Sequence, residues 1–200
     1  VIPVKAFALS KMRLSEVLSE QERSQLAQQL ATAVVLAAAP HDVVIACEED
    51  SVADWAQRLG ARVVRTDGAG LSGSVQATVE ELSHEEIDIV VVAHGDLAAP
   101  HGLSDFISGL AAGEVAIIPD RHGDGTNVIA VPTSAGFQFA YGPESADRHA
   151  KEAARVGLRC KIVTNSPLDW DVDVPADLAA DLAADRAIDL AAGEGDLPQP

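Results

Sequence analysis

The chain has 200 residues, with 14 Lys and Arg against 31 Asp and Glu, a formal net charge of -17. A field of that sign repels nucleic-acid phosphates and excludes a general DNA- or RNA-binding role; a nucleotide site would need its own local positive charge or a metal. Hydrophobic residues make up 48% and charged residues 22%, enough apolar surface to pack the core of one domain.

The pattern alternates short β-rich runs with helical ones. Val1 to Val4 opens as a short strand. Ser19-Glu20-Gln21-Glu22 is a capping box that starts a helix running from Glu20 to about Ala39. Its uncharged stretch, Ser24 to His41, is interrupted by Gln25, Gln28, Gln29 and Thr32, so it reads as a buried amphipathic helix and not as a membrane span. Val43 to Cys47 is the second strand, Ser51 caps a helix ending at Gly60, Arg62 to Val64 is a third strand, and Leu71 to Ser83 is helical. Ile87 to Ala93 is the clearest strand; its nearly continuous apolar run indicates burial on both faces, as in a central parallel strand. Leu103 to Ala112 is expected to be helical, Val115 to Pro119 and Val128 to Val131 to be strands, Ser145 to Val156 a helix, and Arg159 to Val163 a strand. The last helix begins near Pro175 and runs to about Leu190, with a solvated acidic face. This alternation predicts a three-layer α/β/α fold with a mostly parallel central sheet, one domain over residues 1–192 and a flexible tail over 193–200. Cys47 and Cys160 are too far apart to frame a disulfide or zinc site and read as two small core residues. No signal-peptide pattern is legible, and the expectation is a cytoplasmic protein.

In open α/β sheets ligands bind beyond the carboxyl ends of the strands, so the residues following each strand matter most. Lys5, Lys11 and Arg13 follow the first strand, in a stretch (Lys5 to Leu14) that holds no acid and no glycine. Such a patch suits a triphosphate and a leaving pyrophosphate, or is simply a solvated loop. After the apolar strand comes Gly95-Asp96-Leu97, where the carboxylate is either a Mg²⁺ ligand or a turn residue. In Asp171-Val172-Asp173 an extended backbone points both carboxylates to one side, where a divalent cation would relieve their repulsion; the alternative makes Asp173 a helix cap and Asp171 a surface acid. Gly125-Thr126 before a strand, and Gly142 and Ser145 at a helix start, offer donors to an anion. His149, one turn after Ser145, either faces the same ligand or is structural. Gly68-Ala69-Gly70-Leu71-Ser72-Gly73 matches the dinucleotide fingerprint literally, but it follows a short third strand and reads better as a nucleotide-contacting loop than as an NAD site.

Taken together these pieces resemble the guanylyltransferases of deazaflavin coenzyme (F-420) biosynthesis, which act on 2-phospho-L-lactate or phosphoenolpyruvate. Five motifs carry the resemblance, in the family's order, over roughly residues 1 to 182. They are Ile2-Pro3-Val4-Lys5 with Lys11-Met12-Arg13-Leu14; Gly95-Asp96-Leu97; Pro119-Asp120-Arg121 with Gly125-Thr126-Asn127; Tyr141-Gly142-Pro143 with Ser145, Arg148 and His149; and Asp171-Val172-Asp173 through Pro175-Ala176-Asp177-Leu178.

The resemblance implies a nucleotidyltransferase fold of the glycosyltransferase-A type, GTP as co-substrate and Mg²⁺ on Asp96, Asp171 and Asp173. It implies acceptor contacts at Thr126, Gly142 and Ser145, and a triphosphate loop at Lys5, Lys11 and Arg13, with Lys11 and Arg13 holding the departing pyrophosphate. The family's Gly-Leu-Asn base loop here reads Gly70-Leu71-Ser72. The implied reaction moves GMP onto the phosphate of phosphoenolpyruvate or 2-phospho-L-lactate, and a downstream transferase of the same pathway takes the product. Alternatives are a nucleotidyltransferase for 3-phospho-D-glycerate, molybdopterin or a sugar phosphate, and a non-catalytic nucleotide-binding domain. The pterin and sugar enzymes carry a glycine-rich loop after the first strand, which Lys5 to Leu14 lacks.

Overall fold

Local chemistry sets the element boundaries. In the computed structural model, which describes residues 1–66, 68, 70–111 and 113–178, Ser19 Oγ accepts the Glu22 N–H and the Glu22 carboxylate accepts the Ser19 N–H at 2.8 Å. This closed capping box starts α1, Glu20–Ala37. The remaining helices are α2 (Asp50–Arg58), α3 (Gly70–Leu82), α4 (Leu103–Ser108) and α5 (Ser145–Arg155). The strands are β1 (Ile2–Pro3), β2 (Val44–Cys47), β3 (Arg62–Arg65), β4 (Ile89–Ala93), β5 (Glu114–Pro119), β6 (Thr126–Pro132) and β7 (Arg159–Ile162).

The strands form two ladders, β1-β2-β3 and β4-β6-β5-β7. Val1 N donates to Val91 O at 2.7 Å and Ala93 N to Val1 O at 3.0 Å, so β1 also lies alongside β4 and joins the two. Pairing is parallel for β1-β2, β2-β3 and β5-β7; β6 is antiparallel to both β4 and β5. One face of the sheet packs on α1, α2 and α4 through Ile45, Val34, Trp55 and Leu103. The other face packs on α3 and α5 through Val75, Val79, Ile117 and Ala153. This is the expected three-layer α/β/α arrangement with a mostly parallel sheet.

The apolar strand β4 lies centrally and parallel to β1, as expected, and is antiparallel to β6, the one reversed strand among those described. Three expectations change. Ser51 is not a cap: α2 starts at Asp50 with Glu49 at the N-cap position, and an acid in the first turn suits the positive helix end. Helix α4 stops at Ser108, with Gly109 at its C-cap, and does not reach Ala112. Cys47 is buried as expected, but Cys160 is exposed, because β7 is the last strand of its ladder. The expected helix beyond residue 178 and the 193–200 tail lie outside the described residues. No described helix is long and apolar enough to cross a membrane.

Candidate active site

The carboxyl ends of β1 and β4 and the start of β6 open into a cleft of about 730 Å³. It is lined by most of the residues singled out from the sequence: Lys5, Lys11 and Arg13; Leu71; Asp96; Thr126; Gly142 and Ser145; Asp171 and Asp173.

Asp96 and the Asp171–Asp173 pair are distant in sequence, and a short strand-like contact brings them together. Leu97 and Asp171 form an antiparallel bridge, flanked by Val172 N–H to Asp96 O at 3.1 Å and Ala98 N–H to Trp170 O at 2.9 Å. Leu97 and Val172 are fully buried beneath this contact. The extended backbone then turns Asp171 and Asp173 to the same side. One carboxylate oxygen from each of Asp96, Asp171 and Asp173 lies within 4.8 Å of the others.

The three carboxylates fit a hard divalent cation. Burial raises the Asp171 pKa, and the Asp96 and Asp173 charges raise it further. Asp96 Oδ1 is buried without a hydrogen-bond partner among the described residues. Burial works against ionisation of Asp96 too, but the Lys11 charge, His94 and the hydrogen bond from Lys11 hold its pKa below the ordinary value. The cluster is therefore short of positive charge at one point and neutralised by an ammonium at another. All-oxygen donor sets of this kind suit Mg²⁺ better than a soft metal.

Lys11 supplies that ammonium. Its Nζ lies 2.5 Å from Asp96 Oδ2 and 3.5 Å from Asp173 Oδ1, and its side chain is 5% exposed. Lys11 itself sits in the left-handed region at φ 57°, at the cap of a short 3₁₀ turn. Arg13 reaches Asp173 Oδ2 at 3.2 Å from a largely exposed position. Lys5 is exposed at the mouth of the cleft.

The acceptor-side residues come from β6 and α5. Thr126 Oγ1 lies 3.1 Å from Ser145 Oγ and 3.0 Å from His149 Nδ1. Gly142, at φ +109°, adopts a backbone that side chains resist. The expected ligand contact through His149 does not hold: the ring is fully buried behind Thr126 and does not line the cleft. Its Nε2 accepts the Ala140 N–H at 2.9 Å, while Phe137, Phe139 and Tyr141 pack around the ring.

The base-loop expectation divides. Gly70 and Leu71 line a smaller cavity of about 160 Å³ that also borders Lys5 and Thr66. Ser72 does not turn that way; its Oγ accepts the Tyr141 N–H at 2.9 Å and so braces the acceptor loop.

Other residues carry the site without having been assigned a role. Asp177 Oδ2 accepts the N–H groups of Asp173 and Val174, both at 2.8 Å, and its other oxygen pairs with Arg121. It fixes the segment bearing Asp173. An acid three residues after Val174, where the chain enters a helix, is a capping pattern legible in the sequence. Asn127 Nδ2 donates to Leu168 O at 3.3 Å and lies 3.4 Å from Asp171 Oδ1; nothing in the sequence marks this. The Asp120 carboxylate accepts the N–H groups of His122, Asp124 and Gly125 and folds the loop before Thr126. A Cβ on Gly125 would stand 2.7 Å from Asp120 Oδ2, so this loop needs glycine there.

Comparison with known proteins places the chain in a family. Residues 1–183 match the family model described as "Guanylyl transferase CofC like". A phosphoenolpyruvate guanylyltransferase from Chloroflexus aurantiacus is 27% identical, over 86% of this chain and 88% of the relative. A 2-phospho-L-lactate guanylyltransferase from Methanocaldococcus vulcanius is 28% identical, over 88% of this chain and 80% of the relative. Among solved structures, a nucleotidyl transferase from Methanothermobacter superposes with a TM-score of 0.63 at 16% identity, over 92% of this chain and 97% of that one. A 4-diphosphocytidyl-2C-methyl-D-erythritol synthase from Anaerococcus prevotii superposes at 0.59 with 9% identity, over 92% and 97%. The structural likenesses speak to the fold, and the family match over nearly all of the described residues speaks to kinship: the chain belongs to the guanylyl transferase CofC-like family.

Proposed function

We propose that the chain transfers the GMP unit of GTP to the phosphate of a phosphorylated three-carbon acid, phosphoenolpyruvate or 2-phospho-L-lactate, in coenzyme F-420 biosynthesis. In this reading Asp96, Asp171 and Asp173 hold Mg²⁺, and a downstream transferase consumes the product. The observation that carries it is the convergence of these three carboxylates beside Lys11, in a cleft that also presents Thr126 and Ser145. The relatives' names give the donor base and the acceptor class.

The acceptor is already a phosphate monoester, with a second pKa near ~6. It is largely dianionic at neutral pH and needs no general base. Its oxygen attacks the α-phosphorus; the bond to the β-phosphate's bridging oxygen breaks, and pyrophosphate leaves. Repulsion between polyanions is the obstacle. A bound divalent ion would supply charge neutralisation and a template for the in-line displacement. Lys5, Lys11 and Arg13 place positive charge where the triphosphate lies and where charge grows on pyrophosphate. Thr126 and Ser145 orient the acceptor from the opposite chemical side, as neutral donors that add no further repulsion.

The test is pyrophosphate release from GTP with Mg²⁺, run separately with phosphoenolpyruvate, 2-phospho-L-lactate and 3-phospho-D-glycerate, with the downstream transferase present to draw off product. Release with one of the first two, with GTP and not ATP, is the expected result. Release only with 3-phospho-D-glycerate would overturn the acceptor assignment, and silence from folded protein with all three would overturn the reading.

A further inference from the structure

The wall of the cleft made by Thr126 and Ser145 is the end of a hydrogen-bond chain that runs in one direction. It starts at a group that can only donate. The Ala140 backbone N–H gives its hydrogen to His149 Nε2 at 2.9 Å. Nε2 is therefore an unprotonated acceptor, and in a neutral imidazole the proton then sits on Nδ1. Burial, reinforced by the Arg148 charge, lowers the His149 pKa to about 4, consistent with a neutral ring. Nδ1 lies 3.0 Å from Thr126 Oγ1, so the ring donates and the hydroxyl accepts. Thr126 Oγ1 is in turn 3.1 Å from Ser145 Oγ.

Count the hydrogens in the hydroxyl pair. Thr126 and Ser145 own one O–H each, and one of these is used between them. His149 fills one of the two lone pairs on Thr126 Oγ1. One O–H is left over, on residues that both border the cleft. The surrounding rings of Phe137, Phe139 and Tyr141, with centroids 5.0 to 6.1 Å away, would accommodate a phenylalanine at this place. A histidine in an apolar cage is there for its two nitrogens.

We propose that His149 is a positioning residue that fixes Thr126 and Ser145 as a net hydrogen-bond donor toward an anionic oxygen of the acceptor acid. The inference rests on the acceptor reading of this cleft. It replaces direct contact by His149 with action through Thr126. Chains of this kind strengthen each member by polarising the next, and the terminal O–H is the beneficiary.

The first test needs no substitution. Nitrogen NMR of histidine-labelled wild-type protein at pH 7 should show His149 neutral, protonated at Nδ1 and bare at Nε2. Protonation at Nε2, or a charged ring, overturns the proposal. This holds whichever acceptor the enzyme uses, so a failure here is distinct from a failure of the acceptor reading.

The second test separates orientation from architecture by steady-state kinetics. His149→Phe keeps the ring and loses both nitrogens; it should raise the KM for the acceptor roughly ten- to a hundred-fold, the range for a lost bond to a charged group. The KM for GTP should stay within about two-fold, since uniform binding to the other substrate is untouched. His149→Asn, which can still donate to Thr126, should recover part of the loss. Thr126→Val should reproduce it, and the double variant should be no worse than Thr126→Val alone. An unchanged acceptor KM in folded His149→Phe, or an equal rise in both KM values, overturns the proposal. If His149→Phe does not fold, additivity of His149→Asn with Thr126→Val overturns it in the same way.

Discussion

Thr126, Ser145 and His149, on β6 and α5, are buried and bonded to one another, whereas Lys5 and Arg13, on the segment after β1, stand largely in solvent. On the proposed reading the two parts of the cleft serve different ligands. A compact acid can be held by a few neutral donors fixed in advance, because the protein has already met the ordering cost of those groups. A triphosphate carries charge over a longer span, and flexible cations can follow it as charge shifts to pyrophosphate. Between the two lie the carboxylates, with Lys11 drawn in among them and nearly hidden from water. Substitutions at these three places should therefore fail in different ways.

The largest effect is expected at the carboxylates. Asp96→Asn and Asp171→Asn should each lower kcat by about a thousand-fold or more, the scale set by loss of charge stabilisation in a water-poor site. Neither should unfold the chain, because each keeps its shape, and Asp171→Asn also relieves the repulsion from Asp96 and Asp173. Asp171→Asn should melt at or above the wild-type temperature in metal-free buffer. Mg²⁺-dependent turnover at the wild-type rate in both variants would remove these residues from the chemistry.

Lys11 should show effects of opposite sign on two measurements. On the proposed reading Lys11→Met takes a cation away from the reacting phosphates and should lower kcat about a hundred-fold. It also removes the ammonium that neutralises Asp96 and Asp173. Two unit charges about 4 Å apart interact by roughly 4 kcal/mol at the effective dielectric of a protein surface. Mn²⁺ binding to the nucleotide-free protein, read by calorimetry, should therefore tighten by about ten-fold or more. Weaker or unchanged Mn²⁺ binding would show that the ammonium and a cation do not compete for these oxygens.

The sequence made some of this legible and left the rest dark for physical reasons. Asp171 and Asp173 could be paired because an extended backbone repeats every two residues, a rule that needs no tertiary knowledge. Joining them to Asp96 could not be done from spacing; it depends on the Leu97–Asp171 bridge and the fit of Val172 beneath it. The central, parallel place of β4 is legible in its apolar run, but nothing in the sequence marks β6 as the reversed strand beside it. His149 was placed on the correct helix face but one layer too shallow, since helical spacing gives a direction and not a depth. Ser72 follows the same lesson: its hydroxyl was available to a base in the sequence, and in the fold it is committed to the Tyr141 amide. The capping pattern at Asp177 is legible in the sequence, but that it fixes the turn bearing Asp173 follows only from the fold.

That residue gives the next prediction. Asp177 is 2% exposed and satisfies two backbone N–H groups as well as Arg121. Asp177→Ala leaves those donors buried and unpaired, and should destabilise the fold by about 2–3 kcal/mol. Asp177→Asn keeps an oxygen for the two amides and should recover about half of that. Chemical denaturation of the three proteins measures it; equal stability would mean that the 173–174 turn holds itself.

The smallest effect is one of pH, and it distinguishes the buried part of the cleft from the exposed part. His149 has its pKa lowered to about 4 in the folded chain, through burial first, then Arg148 and His94, with Glu152 acting the other way. In the unfolded chain it titrates near ~6.5. Between those two values the unfolded state binds more protons than the folded one, so stability rises with pH across that window and falls on acidification. Integrated from pH 7.5 to pH 5, the loss from this one ring is about 2 kcal/mol. His149→Phe cannot take up the proton, so its stability should fall less over the same interval, by that difference. If wild type and His149→Phe lose stability in parallel, the ring is already protonated or already wet, and the contrast between the two parts of the cleft is smaller than their burial implies.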